Sequence, residues 1–176
     1  FAGNPAVASA WTDTIRRSQA PPRQPGALAR VIAGQQARRA APQAAFAAGL
    51  DRLHVTDHVR AGSTWVPEYV TEIARVRGLG SVDVVCGVEA KILDVKGTVD
   101  LPPDLRGVEQ VVVSDHQFPT RSGPVAPSEM RRRIEAGEVL AVDALADLVL
   151  ATSRAVFVHE RVVVGHLFSV LPKAGI

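Results

Sequence analysis

Cysteine is almost missing from this chain: Cys86 is the only one in 176 residues. An intramolecular disulfide is therefore excluded, as is any zinc knuckle built from cysteine pairs. Cys86 lies within the apolar run "VDVVCGVE", where a buried thiol behaves as a small hydrophobe. Charge of one sign is scarce as well. Twenty basic side chains against 18 acidic ones leave a net charge of +2, so no field that would gather a polyanion, and no nucleic-acid partner, is expected. The densest basic cluster, Arg131-Arg132-Arg133, falls in a helical pattern and reads as a solvated helix face. No apolar run approaches the roughly 20 residues that cross a bilayer. The N-terminus lacks the basic start and apolar core of a signal peptide. These absences predict a soluble cytoplasmic protein with no membrane partner.

What is there is ordinary globular composition, 47% hydrophobic and 22% charged, enough for a single domain over 1–176 with a substantial core. The first 45 residues differ in texture, being rich in Ala, Arg, Gln and Pro, with "APPRQPG" at 20–26 as a break. "PAVASAW" reads as a short strand, 27–41 as a helix, and Pro42 as the first turn of another helix ended by Gly49. From Leu50 a regular alternation sets in. "LHVTD", "VDVVCGVE", "VEQVVVSD" and "RVVVG" read as strands. Val66, Tyr69, Val70, Ile73 and Val76 recur near helical spacing, with Gly78 as the stop. The segment 95–107 reads as a turn, a short strand and a proline-marked loop, and "TRSGPVA" as a loop. Helices are expected from about Pro127 and over 139–154, the latter with Leu140, Leu145, Leu148 and Val149 inward. "LFSVLPKAGI" reads as a loop or short helix. Strands alternating with helices predict parallel β/α units, and short, nearly all-apolar strands fit a sheet covered on both faces.

The polar groups fall at particular places in this pattern. His58, Glu89, His116 and His166 each follow an apolar run at its C-terminal end. In parallel α/β folds, that edge is where binding sites assemble from different strands. One histidine at a strand end is usually a packing or capping residue. Three of the five histidines so placed, with a glutamate on the fourth strand, point instead to a divalent metal site, and the imidazole and carboxylate donors suit Zn, Mn or Fe. His54 reads as packed or surface-facing, and His159, among charges, as solvated.

"VTDH", "GVE", "VSDH" and "VGHLF", in this order, resemble the polymerase-and-histidinol-phosphatase (PHP) family, most strongly over 48–176. The resemblance implies an α/β fold, a distorted barrel of seven β/α units with metal ions at the C-terminal strand edge. It also implies hydrolysis of phosphoesters. Carried over by motif, His58, Glu89, His116 and His166 are expected metal ligands. Asp57 and Asp115, each beside one of these histidines, are candidate catalytic carboxylates that orient imidazoles. Arg60 and Arg121 are candidates for binding the phosphate of the substrate.

Two features depart from the family pattern. The opening His-x-His motif is matched by "AVAS", with Ala6 and Ala8 in both histidine positions and Asp13 following. The family's last metal motif would lie beyond Ile176, so the barrel is expected to be incomplete at its C-terminus. One or two ions are therefore expected rather than three. Three readings follow. The first is a phosphatase acting on a small phosphate monoester, histidinol phosphate being the leading type. The second is a metal-poor pseudoenzyme or binding module, or a polymerase-associated PHP domain. The third is a partial barrel completed in a homo-oligomer, since unclosed sheet edges invite pairing.

Overall fold

The computed structural model describes residues 40–78 and 82–176. The expected strand at "PAVASAW", the motif positions Ala6, Ala8 and Asp13, and most of the expected helix 27–41 lie outside the described residues. The described residues form two compact units. One holds 40–53 with 75–78 and 82–83, and the other holds 54–74 with 84–176.

In the first unit, helix α1 covers 40–47, running through Pro42 rather than starting at it. It ends as expected at Gly49, whose φ of +75° is the left-handed conformation that glycine adopts without penalty. Leu50 N–H reaches back to the Ala45 carbonyl at 3.0 Å, closing the cap. Arg52 and Asp83 form an exposed ion pair at 2.7 Å.

The remaining elements follow in the order β1 (Arg52–His58), α2 (Val66–Arg77), β2 (Asp83–Lys91), β3 (Gln110–Ser114), β4 (Phe118–Thr120), β5 (Gly123–Val125), α3 (Pro127–Glu135), α4 (Ala141–Val158), β6 (Val162–Val164) and α5 (Leu171–Ala174). The architecture is mixed α/β, with a parallel four-stranded sheet of order β1-β2-β3-β6. Register partners Val88, Val111 and Val162 share one face, and Glu89, Val112 and Val163 share the other. The first face is the packed one. Val84, Cys86, Val88, Val111 and Val113 meet Val66, Tyr69 and Ile73 of α2 and Ala151 and Ala155 of α4 in the main core. Cys86 is buried there, as expected. The Tyr69 hydroxyl lies 2.7 Å from the Val55 carbonyl and 3.0 Å from that of Gly87, so its proton is shared between β1 and β2. On the other face, His54, Thr56 and His58 are exposed in the alternation of β1.

Three expectations are corrected. Residues 118–125 are not a plain loop but an antiparallel hairpin, in which Pro119 faces Pro124 and Thr120 faces Gly123. Proline is tolerated there because the hairpin stands outside the main sheet and each proline lacks only an N–H donor. The expected short strand within 95–107 reduces to a bridge between Ile92 and Val99. Helix α4 faces inward with Ala144, Leu148, Ala151, Thr152 and Ala155, while Leu140 and Val149 are exposed. Small residues let the helix axis approach closely. At Gly97, with φ of +83°, an added Cβ would stand 2.8 Å from the Arg154 carbonyl carbon.

A second core joins Phe118, Met130, Ala144, Leu148, Val170 and Ala174. Phe118 comes two residues after His116, and Val170 four after His166, so this cluster anchors the chain just past both histidines. Leu148 is fully buried in it. Leu148→Ala is expected to cost about 2–5 kcal/mol through lost burial and the cavity left behind, read as a lowered urea midpoint with unchanged m-value.

Candidate metal centre

Each ligand candidate is carried by the end of a different strand. His58 closes β1, and the Val59 N–H donates to the Glu89 carbonyl at 2.8 Å, which fixes the end of β1 beside β2. Glu89 lies two residues before the end of β2, on the face opposite the main core. His116 comes two residues after β3, and His166 two after β6. The Gly165 N–H still bonds the Val113 carbonyl at 2.8 Å, so the ladder holds the chain up to His166. Glycine is required at 165. A Cβ there would run into Ser114 Oγ and come within 2.8 Å of Val112 Cγ1.

The three histidines meet on the Glu89 carboxylate. Its Oε1 lies 3.1 Å from His116 Nε2 and 3.2 Å from His166 Nε2, and its Oε2 lies 3.7 Å from His58 Nε2. The His116 ring stands between the other two, with centroids 5.2 Å from His58 and 5.0 Å from His166. His58, Glu89 and His116 offer donor atoms all within 4.8 Å of one another, close enough to hold one ion. The carboxylate is largely buried, with 14% of its side chain exposed, whereas His58 is 68% exposed. The centre is thus open on the His58 side.

The Glu89 carboxyl is held down at about 2. The hydrogen bond from His116 is the main cause, burial opposes it, and the positive charge that His58 and His116 can carry adds to the lowering.

The two aspartates do different things. Asp57 Oδ1 accepts the His58 backbone N–H at 2.9 Å and so fixes the strand end. Asp115 reaches across to the next strand rather than to its neighbour His116. Its Oδ1 lies 3.3 Å from His166 Nδ1 and 2.9 Å from Ser169 Oγ, and Oδ2 accepts the Val170 N–H at 3.3 Å. Ser169 Oγ is also 3.1 Å from His166 Nδ1. Phe168, at φ +66°, makes the left-handed turn that returns Ser169 toward His166. Ser169 was missed in the sequence, where a serine three residues after His166 was the available signal.

Arg60 is exposed two residues past His58, and its backbone N–H donates to Ser63 Oγ. Arg121 sits at the hairpin turn and lines a cavity of about 240 Å³ with Phe118, Met130, Arg133, Asp143 and Asp147; none of the four ligand candidates lines it. His54 Nδ1 hydrogen-bonds Gln110 Oε1 on the exposed sheet face, and His159 caps the end of α4.

Two outcomes test this geometry. A carboxyl held at about 2 against an ordinary value near 4.5 stabilises the fold fully above pH 4.5, and that contribution is lost as pH falls through 2. In chelator-treated protein, the stability advantage of the parent over Glu89→Gln is expected to shrink by at most about 3 kcal/mol from pH 5 to pH 2. Equal pH slopes in urea titrations of the two would contradict the carboxylate's environment. Gly165→Ala is expected to destabilise by about 1–3 kcal/mol through overpacking, checked by thermal melting.

Compared with family models, with curated proteins and with solved structures, the chain matches none.

Proposed function

We propose that this chain is a metal-dependent phosphoesterase of PHP type, hydrolysing a small phosphate monoester such as a histidinol-phosphate-like metabolite. In this proposal the sheet is part of a distorted β/α barrel, and the protein works in the cytoplasm. The observation that carries it is the convergence of His58, His116 and His166, from three strand ends, on the Glu89 carboxylate of a fourth strand. Among the described residues, no helix is long and apolar enough to cross a membrane.

The donor set fits a divalent ion. Imidazole nitrogens and a carboxylate suit Zn, Mn or Fe, and Glu89, with one oxygen toward His58 and the other toward His116 and His166, can serve one ion or bridge two. When bound, such an ion supplies Lewis-acid chemistry, making water a better nucleophile near neutral pH and neutralising phosphoryl charge. The chain's own residues do the rest. Glu89 brings the negative charge that makes the histidine cluster a cation site. The open His58 side gives a substrate its approach. Arg60, from the segment after β1, is the guanidinium group proposed to take phosphoryl oxygens, whereas Arg121 lines a separate cavity.

A second reading is favoured by Ala6 and Ala8 standing where the resembled family has its first histidine pair. It makes the chain a metal-poor binding module on the same fold. One experiment separates the two: metal content by elemental analysis, with hydrolysis of p-nitrophenyl phosphate in added Mn or Zn. The hydrolase reading expects bound metal and turnover. It also expects His58→Ala and His116→Ala to lower turnover by more than the roughly 10–100-fold typical of losing a supporting group. Metal-free protein without turnover, and variants no different from the parent, favours the binding module.

A further inference from the structure

We propose that the cavity between the β4–β5 hairpin, α3 and the start of α4 is a binding site for a small zwitterion of the amino-acid class, with one carboxylate and one ammonium on a short apolar body. None of the four metal-ligand candidates lines this cavity, and the inference does not depend on what the metal centre does.

The argument starts from charge. Arg121 of the hairpin and Arg133 of α3 line the cavity, and so do Asp143 and Asp147 of α4. Opposite charges in one small cavity attract, yet among the described residues no hydrogen bond or ion pair joins either arginine to either aspartate. Arg133 gives its Nε–H to Glu129 Oε1 at 2.9 Å, and the other oxygen of Glu129 is taken by Arg132. Both terminal nitrogens of the Arg133 fork are left with donors to spare. Asp143 and Asp147 stand one helical turn apart, where like charges repel. Asp143 is in the first turn of α4, where the helix dipole favours a carboxylate. Asp147 is half-buried a turn further in, beyond the reach of that effect. Its charge has no partner on the protein, and the cavity is where a partner would stand.

The shape narrows the ligand. Phe118, Met130 and Ala144, all buried in the second core, supply an apolar floor beneath these charges. The volume is about 240 Å³, below the roughly 300–1,000 Å³ of sites that take drug-sized molecules, so the occupant is small. A simple anion would suit the arginines and meet two carboxylates. A simple cation would suit the carboxylates and meet two guanidinium groups. A ligand of both signs satisfies all four: a guanidinium fork takes a carboxylate through paired hydrogen bonds, and the aspartates take an ammonium. An apolar side chain on that ligand would rest on the floor.

The test uses the full chain, treated with chelator so that no metal ion can hold the probe. Amide NMR spectra are recorded during titration to millimolar L-alanine, L-valine, L-leucine and L-phenylalanine. For the tightest of these, the analogue lacking the amine and the analogue lacking the carboxyl follow, which for leucine are isocaproate and isoamylamine. Saturable shifts are expected at 118–123 and 139–147, with those of His58, Glu89 and His166 unmoved. Each one-charge analogue is expected to bind about 10-fold or more weakly, as for loss of a charged hydrogen-bond partner. Arg121→Gln and Asp147→Asn are expected to weaken the zwitterion to a similar degree. Neither side chain has a partner among the described residues, so folding is spared. No saturable binding of any of the four amino acids overturns the proposal. So do shifts centred elsewhere, a one-charge analogue that binds as well as its zwitterion, or variants that bind as the parent does.

Discussion

The centre depends on one carboxylate. Glu89 is mostly buried, carries its charge between the buried Val88 and Ala90, and is approached by three imidazoles that belong to three other strand ends. Burial of a charge is costly unless partners surround it. Here the partners can arrive only if β1, β3 and β6 end at the right height around β2. The placement of Glu89 and the order of the sheet are therefore one constraint. A sheet with another strand order would leave the carboxylate unpaired or the histidines scattered.

Packing holds those strand ends in place from below. The main core fixes the sheet against α2 and α4. The second core takes hold just beyond the two histidines that lie outside regular strands, at Phe118 after His116 and Val170 after His166. Loops carry function when a rigid scaffold positions them, and this arrangement is a local instance. His116 and His166 are on turns, yet each turn begins on a ladder and ends in a packed cluster. His58 is likewise followed by an anchor, Val59, which is buried in the main core, and only the His58 side chain stands exposed.

Much of this was legible in residue order. The apolar runs at β2, β3 and β6 are rich in valine, and with β1 they form a parallel sheet. Val66, Tyr69, Ile73 and Val76 mark the buried face of α2 at helical spacing. The four strand-end residues stood out because charged or polar side chains follow apolar runs at the same edge. Other features were not legible for identifiable reasons. The hairpin 118–125 has strands of three residues and two prolines, too short for period-two alternation to rise above loop chemistry. The inner face of α4 is built on alanine, so a search for large apolar side chains selected Leu140 and Val149, which are exposed. Arg121, near His116 in sequence, lines a different cavity because the hairpin turn carries it there.

By itself the sequence determined the main strands and helices, the parallel arrangement of the strands and the identity of the polar groups at the strand ends, because periodicity and side-chain chemistry are local properties. Tertiary structure alone decided the rest. Strand order put three ligand candidates around Glu89, and the turn at Phe168 brought Ser169 back to His166. Asp115 passed over its sequence neighbour to the next strand, since hydrogen-bond partners are chosen by distance in space and not by separation along the chain.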